Sequence, residues 1–228
     1  TTQVKFFYSK YCKFILEDIK KHFHNRDLNS LRILEIGCGR GTASNYLSYY
    51  LNCQVVGIDF SPESIEIART NSMKYGLNTR FFLADIFDEH LTNKLPFASY
   101  DAIISLGVLE HIENISSCFN IHYRLLDSNG FFSAMIVPEK RSIQNFFIPV
   151  NKLLSNLFHA KSLQYLDQQT FSKTDDVYRS YSNAQFFANH LSLAGFTSIK
   201  SYQTNCYPIL RPLPDILDSI VAVSYSCI

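Results

Sequence analysis

Apolar positions along this chain follow two alternating periods, and the switching between them predicts an α/β fold. Phe7, Tyr11, Ile15 and Ile19 recur every four residues, the spacing of one face of a helix near 5–23. A short apolar run at 31–36 (LRILEI) ends in glycines, as a buried strand does. Ala43, Tyr46, Leu47, Tyr50 and Leu51 then share a helical face, and 54–59 (QVVGID) reads as a second strand. Ser61 and Pro62 open the next helix, the serine suited to a cap and the proline to the first turn. Residues 80–84 predict a third strand and 100–106 a fourth. Ile115, Cys118, Phe119, His122 and Leu125 mark another helix, Asn129-Gly130 signals a turn, and 131–137 reads as a fifth strand.

Such alternation predicts a parallel sheet with helices on both faces. Right-handed crossovers then bring the loops after the strands to one edge, where open sheets bind their ligands. The regularity stops after Pro138. Residues 139–180 mix apolar positions (Phe146, Phe147, Leu153, Leu154, Leu157, Phe158) with Pro149. Order returns at Ser182-Asn183-Ala184-Gln185, a capping-box pattern, before a helix that presents Phe186, Phe187, His190 and Leu191 and stops at Gly195. Residues 196–203 and 219–226 read as two final strands, separated by a loop with Pro208, Pro212 and Pro214. One non-helical connection between them suggests an antiparallel hairpin at the sheet edge.

Composition narrows the class. The chain has 228 residues, 46% hydrophobic and 18% charged, with 19 Phe, 14 Tyr and no Trp, which is globular rather than disordered. A net charge of +1 argues against a general nucleic-acid binder. No apolar run reaches the length of a membrane span, and residues 1–5 lack a secretory-leader pattern. The six cysteines form no C-x-x-C pair and read as reduced thiols, so a cytoplasmic location is expected. His22 and His24 form an H-x-H without evident partner ligands.

The chemistry centres on Glu35-Ile36-Gly37-Cys38-Gly39-Arg40-Gly41-Thr42. Glycines at every second position permit a sharp turn and close approach of backbone to a ligand. The loop follows a strand and opens a helix, as a nucleotide site requires. It departs from the dinucleotide fingerprint, because Thr42 stands where a glycine or alanine is expected and an extra glycine sits at 41. Glu35 at the strand end would repel a pyrophosphate and suit a cation. Asp59 ends the second strand, where a carboxylate can accept from both hydroxyls of a ribose. Asp85 follows the third strand, within reach of a purine amino group. Three acids at successive strand ends point to a positively charged nucleoside.

These segments resemble those of class I S-adenosylmethionine-dependent methyltransferases. Residues 33–41 (ILEIGCGRG) are similar to the family's first motif, and 56–61 (VGIDFS) to the second, in which the acid holds the ribose. Asp85-Ile86 resembles the adenine contact, 100–111 (YDAIISLGVLEH) the strand and loop beneath the methionine moiety, and 126–132 (LDSNGFF) the turn into the fifth strand. The resemblance implies a Rossmann-like seven-stranded sheet, mostly parallel with an antiparallel last strand, helices on both faces and an inserted lid after strand 5. It implies one domain over 1–228: a cofactor-covering helix at 5–25, a cofactor-binding core at 31–137, an acceptor lid at 138–181, and a C-terminal helix and hairpin at 182–228. The implied cofactor is S-adenosyl-L-methionine, leaving S-adenosyl-L-homocysteine. Its implied contacts are Glu35, Gly37, Cys38, Gly39, Gly41, Asp59, Phe60, Ser61, Asp85, Ile86, Leu106, Gly107 and His111. Tyr8 and Tyr11 are the candidates for the cofactor's carboxylate, Tyr11 also fitting as plain core.

His111 is the candidate general base, since an imidazole there can take a proton from an acceptor hydroxyl. A structural histidine bonded to backbone is the alternative. The stretch 105–111 (SLGVLEH) is similar to quinone-biosynthesis O-methyltransferases, which carry an additional acid where this chain has Gly107, so no metal is expected. The expected reaction is methyl transfer to a hydroxyl or amine of a small, apolar or aromatic acceptor. The alternatives are an enzyme acting on protein or nucleic acid, a nicotinamide oxidoreductase, and a non-catalytic nucleoside-binding module. The 138–181 segment reads first as a lid, with a homodimer or membrane contact as its other uses; Arg141, His159, Tyr165, Tyr178 and Tyr181 are its pocket candidates.

Overall fold

The computed structural model describes residues 2–136 and 178–202, with side chains from residue 11 onward. The chain divides into two compact units. One comprises Lys10–Pro138 and Arg179–Ser201; the other comprises Thr1–Ser9, Glu139–Tyr178 and Tyr202–Ile228 and lies largely outside the described residues.

In the first unit five strands form one sheet: β1 (Arg32–Ile36), β2 (Gln54–Asp59), β3 (Thr79–Leu83), β4 (Tyr100–Leu106) and β5 (Leu126–Met135). Their order is β3-β2-β1-β4-β5 and every pairing is parallel. The order reverses at β1, so a crevice opens between the loops after β1 and β4. The helices are α1 (Thr2–His22), α2 (Thr42–Leu51), α3 (Pro62–Lys74), a single turn α4 (Leu91–Lys94), α5 (Ile115–Leu125) and α6 (Ala184–Leu193).

Two cores form because side chains alternate across the central strands. Ile33, Val55, Ala102 and Ile104 pack with Ile15, Ile19, Ala43, Leu47 and Leu51 of α1 and α2. Leu34, Ile36, Val56, Ile58 and Ile103 pack with Leu91, Ile115, Cys118, Phe119 and Leu125 of α4 and α5, and with Phe187 of α6. Both faces of the sheet are therefore covered, as the near-continuous apolar strands require. At the opposite edge from the crevice, the buried Asp101 accepts from the Arg32 backbone N–H at 2.8 Å and from the Arg26 guanidinium at 2.8 Å. These bonds hold its carboxyl below the usual range, against the opposing effect of burial.

The boundaries depart from expectation in four places. Tyr50 leaves the α2 core face and stands 56% exposed, stacking with Tyr46 and Tyr49. The α6 cap is Asn183, whose side chain accepts from the Phe186 N–H at 3.0 Å, rather than Ser182. β5 starts at Leu126 opposite Tyr100; the Asn129-Gly130 turn survives as a bulge before Phe131 pairs with Ala102, with Asn129 at φ 59°. Residues 196–202, expected as a strand, form none, and Ser198 at φ 54° interrupts the extended backbone a strand needs. The expected strand at 219–226 and nearly all of 138–181 lie outside the described residues.

His122 is fully buried on α5, its ring edge-on to Phe132 at 5.1 Å. Nδ1–H donates to the Cys118 carbonyl at 2.8 Å, and Nε2 has no hydrogen-bond partner among the described residues. Burial pushes its pKa down to about 4. The unfolded chain takes a proton near pH 6.5 that the folded chain refuses, so this stability is present above pH 6.5 and lost as pH falls through 4. Denaturant titrations at pH 7 and pH 4.5 should show wild type losing about 2–3 kcal/mol more than His122→Phe between the two conditions. Equal losses in both proteins would place the titration elsewhere.

Candidate active site

The loop 37–41 joins β1 to α2 in the crevice beside β4. Gly37, Gly39 and Gly41 have φ of 73°, 49° and 72°, a region that side chains disfavour. The Gly37 and Cys38 N–H groups both donate to the Ile58 carbonyl at 2.9 Å, and the Gly41 N–H donates to the Cys38 carbonyl at 2.9 Å. The Gly39 N–H donates to Oδ2 of Asp59 at 2.8 Å, while Oδ1 accepts from the Ser61 N–H at 2.9 Å. Each Asp59 oxygen thus holds one protein donor and keeps lone-pair capacity for another. One carboxylate fixes both the glycine loop and the cap of α3, where Ser61 Oγ accepts from the Ser64 N–H at 3.2 Å.

Space around the loop is closed from two directions. A Cβ on Gly37 would stand 2.2 Å from Cγ2 of Val108, in the loop after β4. A Cβ on Gly41 would stand 2.6 Å from the Phe81 ring of β3, and a Cβ on Gly57 would also stand 2.6 Å from it. Cys38 is buried in the same small cluster, with Ile65, Ala68 and Phe81. Its thiol is pushed up by burial and by Glu35 and Asp59, so it packs as a protonated small side chain.

The other candidates fall into three groups. Asp85 lies exposed at the end of β3, next to the Asp59 strand end: its Oδ1 accepts from the Phe87 N–H at 2.9 Å, and the Ala84 N–H donates to the Asp59 carbonyl at 3.0 Å. Ile86 is buried beside it, whereas Phe60 is 80% exposed. Leu106 and Gly107 (φ 70°) end β4, where the Gly107 N–H donates to the Met135 carbonyl at 2.9 Å. His111 closes a one-turn 3₁₀ helix, Leu109–His111, half-buried, its N–H donating to the Val108 carbonyl at 2.9 Å. Tyr11 is half-buried on α1, its hydroxyl pushed up by burial and by Cys12 and Asp18. Tyr8 lies on the part of α1 whose side chains are outside the described residues.

Glu35 behaves differently from the other two acids. It is 3% exposed, and its Oε2 accepts from both the backbone N–H of Ser44, at 2.8 Å, and the Ser44 hydroxyl. Burial pushes its pKa up to about 7, against the lowering effect of those bonds. Asp59 and Asp85 thus line the sheet edge while Glu35 turns inward to α2. Val108, Phe81 and Ser44 are the site-shaping residues that sequence reasoning missed. The Gly57–Phe81 pairing across β2 and β3 is one signal that could have found Phe81. His22 and His24 contact backbone carbonyls of Asn129 and Lys21. No cluster of three metal-ligating side chains occurs among the described residues, and no helix there is long and apolar enough to cross a membrane.

The family model described as "Methyltransferase domain" matches residues 27–185. The chain is 32% identical over 116 residues to a ubiquinone biosynthesis O-methyltransferase of Pelagibacter ubique, covering 51% of this chain and 46% of that protein. It is 28% identical over 179 residues to the protein of the same name from Burkholderia vietnamiensis, covering 78% and 66%. Among solved structures, magnesium protoporphyrin IX methyltransferase (ChlM) from Synechocystis, with bound SAH, superposes with a TM-score of 0.57 at 19% identity, covering 86% of this chain and 77% of that one. That last likeness shows a shared fold. In its alignment with the Pelagibacter protein the chain spans about half of that relative's length.

Phe81 and Gly57 should behave as one packed unit. Gly57 has no left-handed backbone, so Gly57→Ala is a steric insertion and should lower stability by about 1–3 kcal/mol. In thermal unfolding, Phe81→Leu combined with Gly57→Ala should cost less than the two single changes added together. Strict additivity would mean that the ring does not set the space at 57.

Proposed function

Because the chain belongs to the methyltransferase-domain family of class I S-adenosylmethionine-dependent proteins, we propose that it transfers the donor's methyl group to a hydroxyl or amine of a small, apolar or aromatic acceptor. The observation that carries this reading is Asp59: a carboxylate at the end of β2, bonded to the glycine loop and retaining acceptor capacity toward a vicinal diol. In this reading Asp59 holds the ribose, Asp85 and Ile86 meet the adenine, and the loop 37–41 lies against the donor with Leu106 and Gly107 beyond it. Tyr11 is the described candidate for the donor's carboxylate; the side chain of Tyr8 lies outside the described residues.

The donor supplies a methyl carbon on a sulfonium, already a good leaving group. The protein's task is therefore to hold nucleophile, carbon and sulfur in line, which can contribute roughly 7–11 kcal/mol. His111 takes the acceptor's proton where that acceptor is a hydroxyl; an amine needs chiefly desolvation.

Calorimetry with S-adenosylhomocysteine tests the assignment. Asp59→Ala should weaken binding by about 100-fold, from the loss of charge-assisted bonds to two hydroxyls. Incubation with methyl-labelled donor and a cell extract should then yield labelled small molecules. Unchanged affinity in Asp59→Ala removes the ribose assignment; binding without any transfer favours the non-catalytic nucleoside module.

A further inference from the structure

The cap position before α2 is Gly41, which has no side chain to cap the helix. The first-turn N–H groups of a helix ordinarily find an acceptor on a Ser, Thr, Asp or Asn at that position. Here the acceptor comes from the preceding strand instead. Oε2 of Glu35 receives both donors of Ser44, the third residue of α2, and both residues are buried. The Asn45 N–H then donates to the Gly41 carbonyl at 2.9 Å and continues the helix. The loop 37–41 is consequently fixed at both ends. Its first half is bonded to Ile58 and Asp59 of β2, and its second half runs into a helix turn held to β1.

We infer that Glu35 is a positioning residue, which acts through Ser44 to hold the first turn of α2 and with it the nucleoside-facing glycine loop, rather than meeting the donor's cation itself. This rests on the proposed reading of the loop as the donor site. The surroundings agree. Of the groups that face Glu35, the Cys12 thiol on α1 is pushed up to about 12 and the Cys38 thiol is also raised, so both stay protonated, and Asp59 on β2 adds negative charge. Glu35 itself titrates near neutrality, so its charge is not constant, whereas a carboxyl oxygen able to accept from Ser44 persists in either form.

Two probes separate this role from a direct ion pair: S-adenosylhomocysteine, which carries an ammonium, and adenosine, which does not. Affinities for both are measured for wild type, Ser44→Ala, Ser44→Thr, Glu35→Gln and Glu35→Leu, with circular dichroism melts checking each fold. Ser44→Ala and Glu35→Leu should weaken both probes by a similar factor of about tenfold. Ser44→Thr keeps the donor and Glu35→Gln keeps an acceptor, so both should remain within about threefold of wild type. Loss of S-adenosylhomocysteine binding in Glu35→Gln with adenosine spared would overturn the inference in favour of a direct cation contact. Wild-type affinity for both probes in Ser44→Ala would overturn it as well. Failure of the wild-type protein to bind either probe would instead sink the reading of the site as a donor pocket, and this inference with it.

Discussion

The structure depends on the confinement of five residues of backbone. The loop 37–41 has Val108 against one glycine and Phe81 against another, and its left-handed turns leave no alternative course for a chain bearing side chains. Both neighbours come from other strands: Val108 follows β4, and Phe81 lies in β3. The loop is placed by contacts from both sides of β1, so its geometry is a property of the whole sheet. Three of its five N–H groups donate to β2 and a fourth, that of Gly41, donates to the Cys38 carbonyl within the loop, which makes the bare peptide surface rigid before any ligand arrives. Pre-organisation of this kind lowers the ordering cost of binding.

The acids divide by what surrounds them. Asp59 ends β2 and Asp85 follows the neighbouring parallel strand β3, and each uses one oxygen to accept the N–H two residues on. Such local turns orient a carboxylate without consuming all its lone pairs. Glu35, one residue before the end of β1, is buried and accepts from Ser44 of α2. Three acids at three strand ends therefore do not make one uniform negative wall. The two outer acids keep acceptor capacity at the ends of their strands, and the inner one is bonded to the first turn of α2.

The part of the chain around the glycine loop was legible because its constraints are steric and local. Alternating apolar runs fixed β1, β2 and β4 to within a residue, and Ser61-Pro62 marked the start of α3. Glycine spacing located the loop, since few residues can occupy φ near 70°. What escaped was tertiary. Nothing local reveals that Ser44 caps its helix onto Glu35, or that Val108 closes over Gly37. Asn183 displaced Ser182 at the α6 cap because one residue of register decides which side chain reaches the Phe186 N–H. Residues 196–202 read as a strand by composition, yet an edge strand exists only where a partner's ladder meets it, and Ser198 turns the backbone away from that course.

Glu35 and His122 also set opposing pH dependences on the two faces of the sheet. Burial raises the Glu35 pKa to about 7, so the folded chain keeps a proton that the unfolded chain releases near 4.5. That stability is complete below pH 4.5 and lost as pH rises through 7. His122, depressed to about 4, contributes in the reverse sense, losing stability as pH falls below 6.5. Between about pH 4.5 and 6.5 both groups titrate with slopes near 1.4 kcal/mol per pH unit and opposite sign. Across that window these two contributions nearly cancel each other. A carboxyl that destabilises the fold whenever it ionises is an expensive way to cap a helix unless the acceptor must come from β1. Gly41 supplies that necessity: the residue that would ordinarily cap α2 has to be glycine, because Phe81 occupies the space of any side chain there.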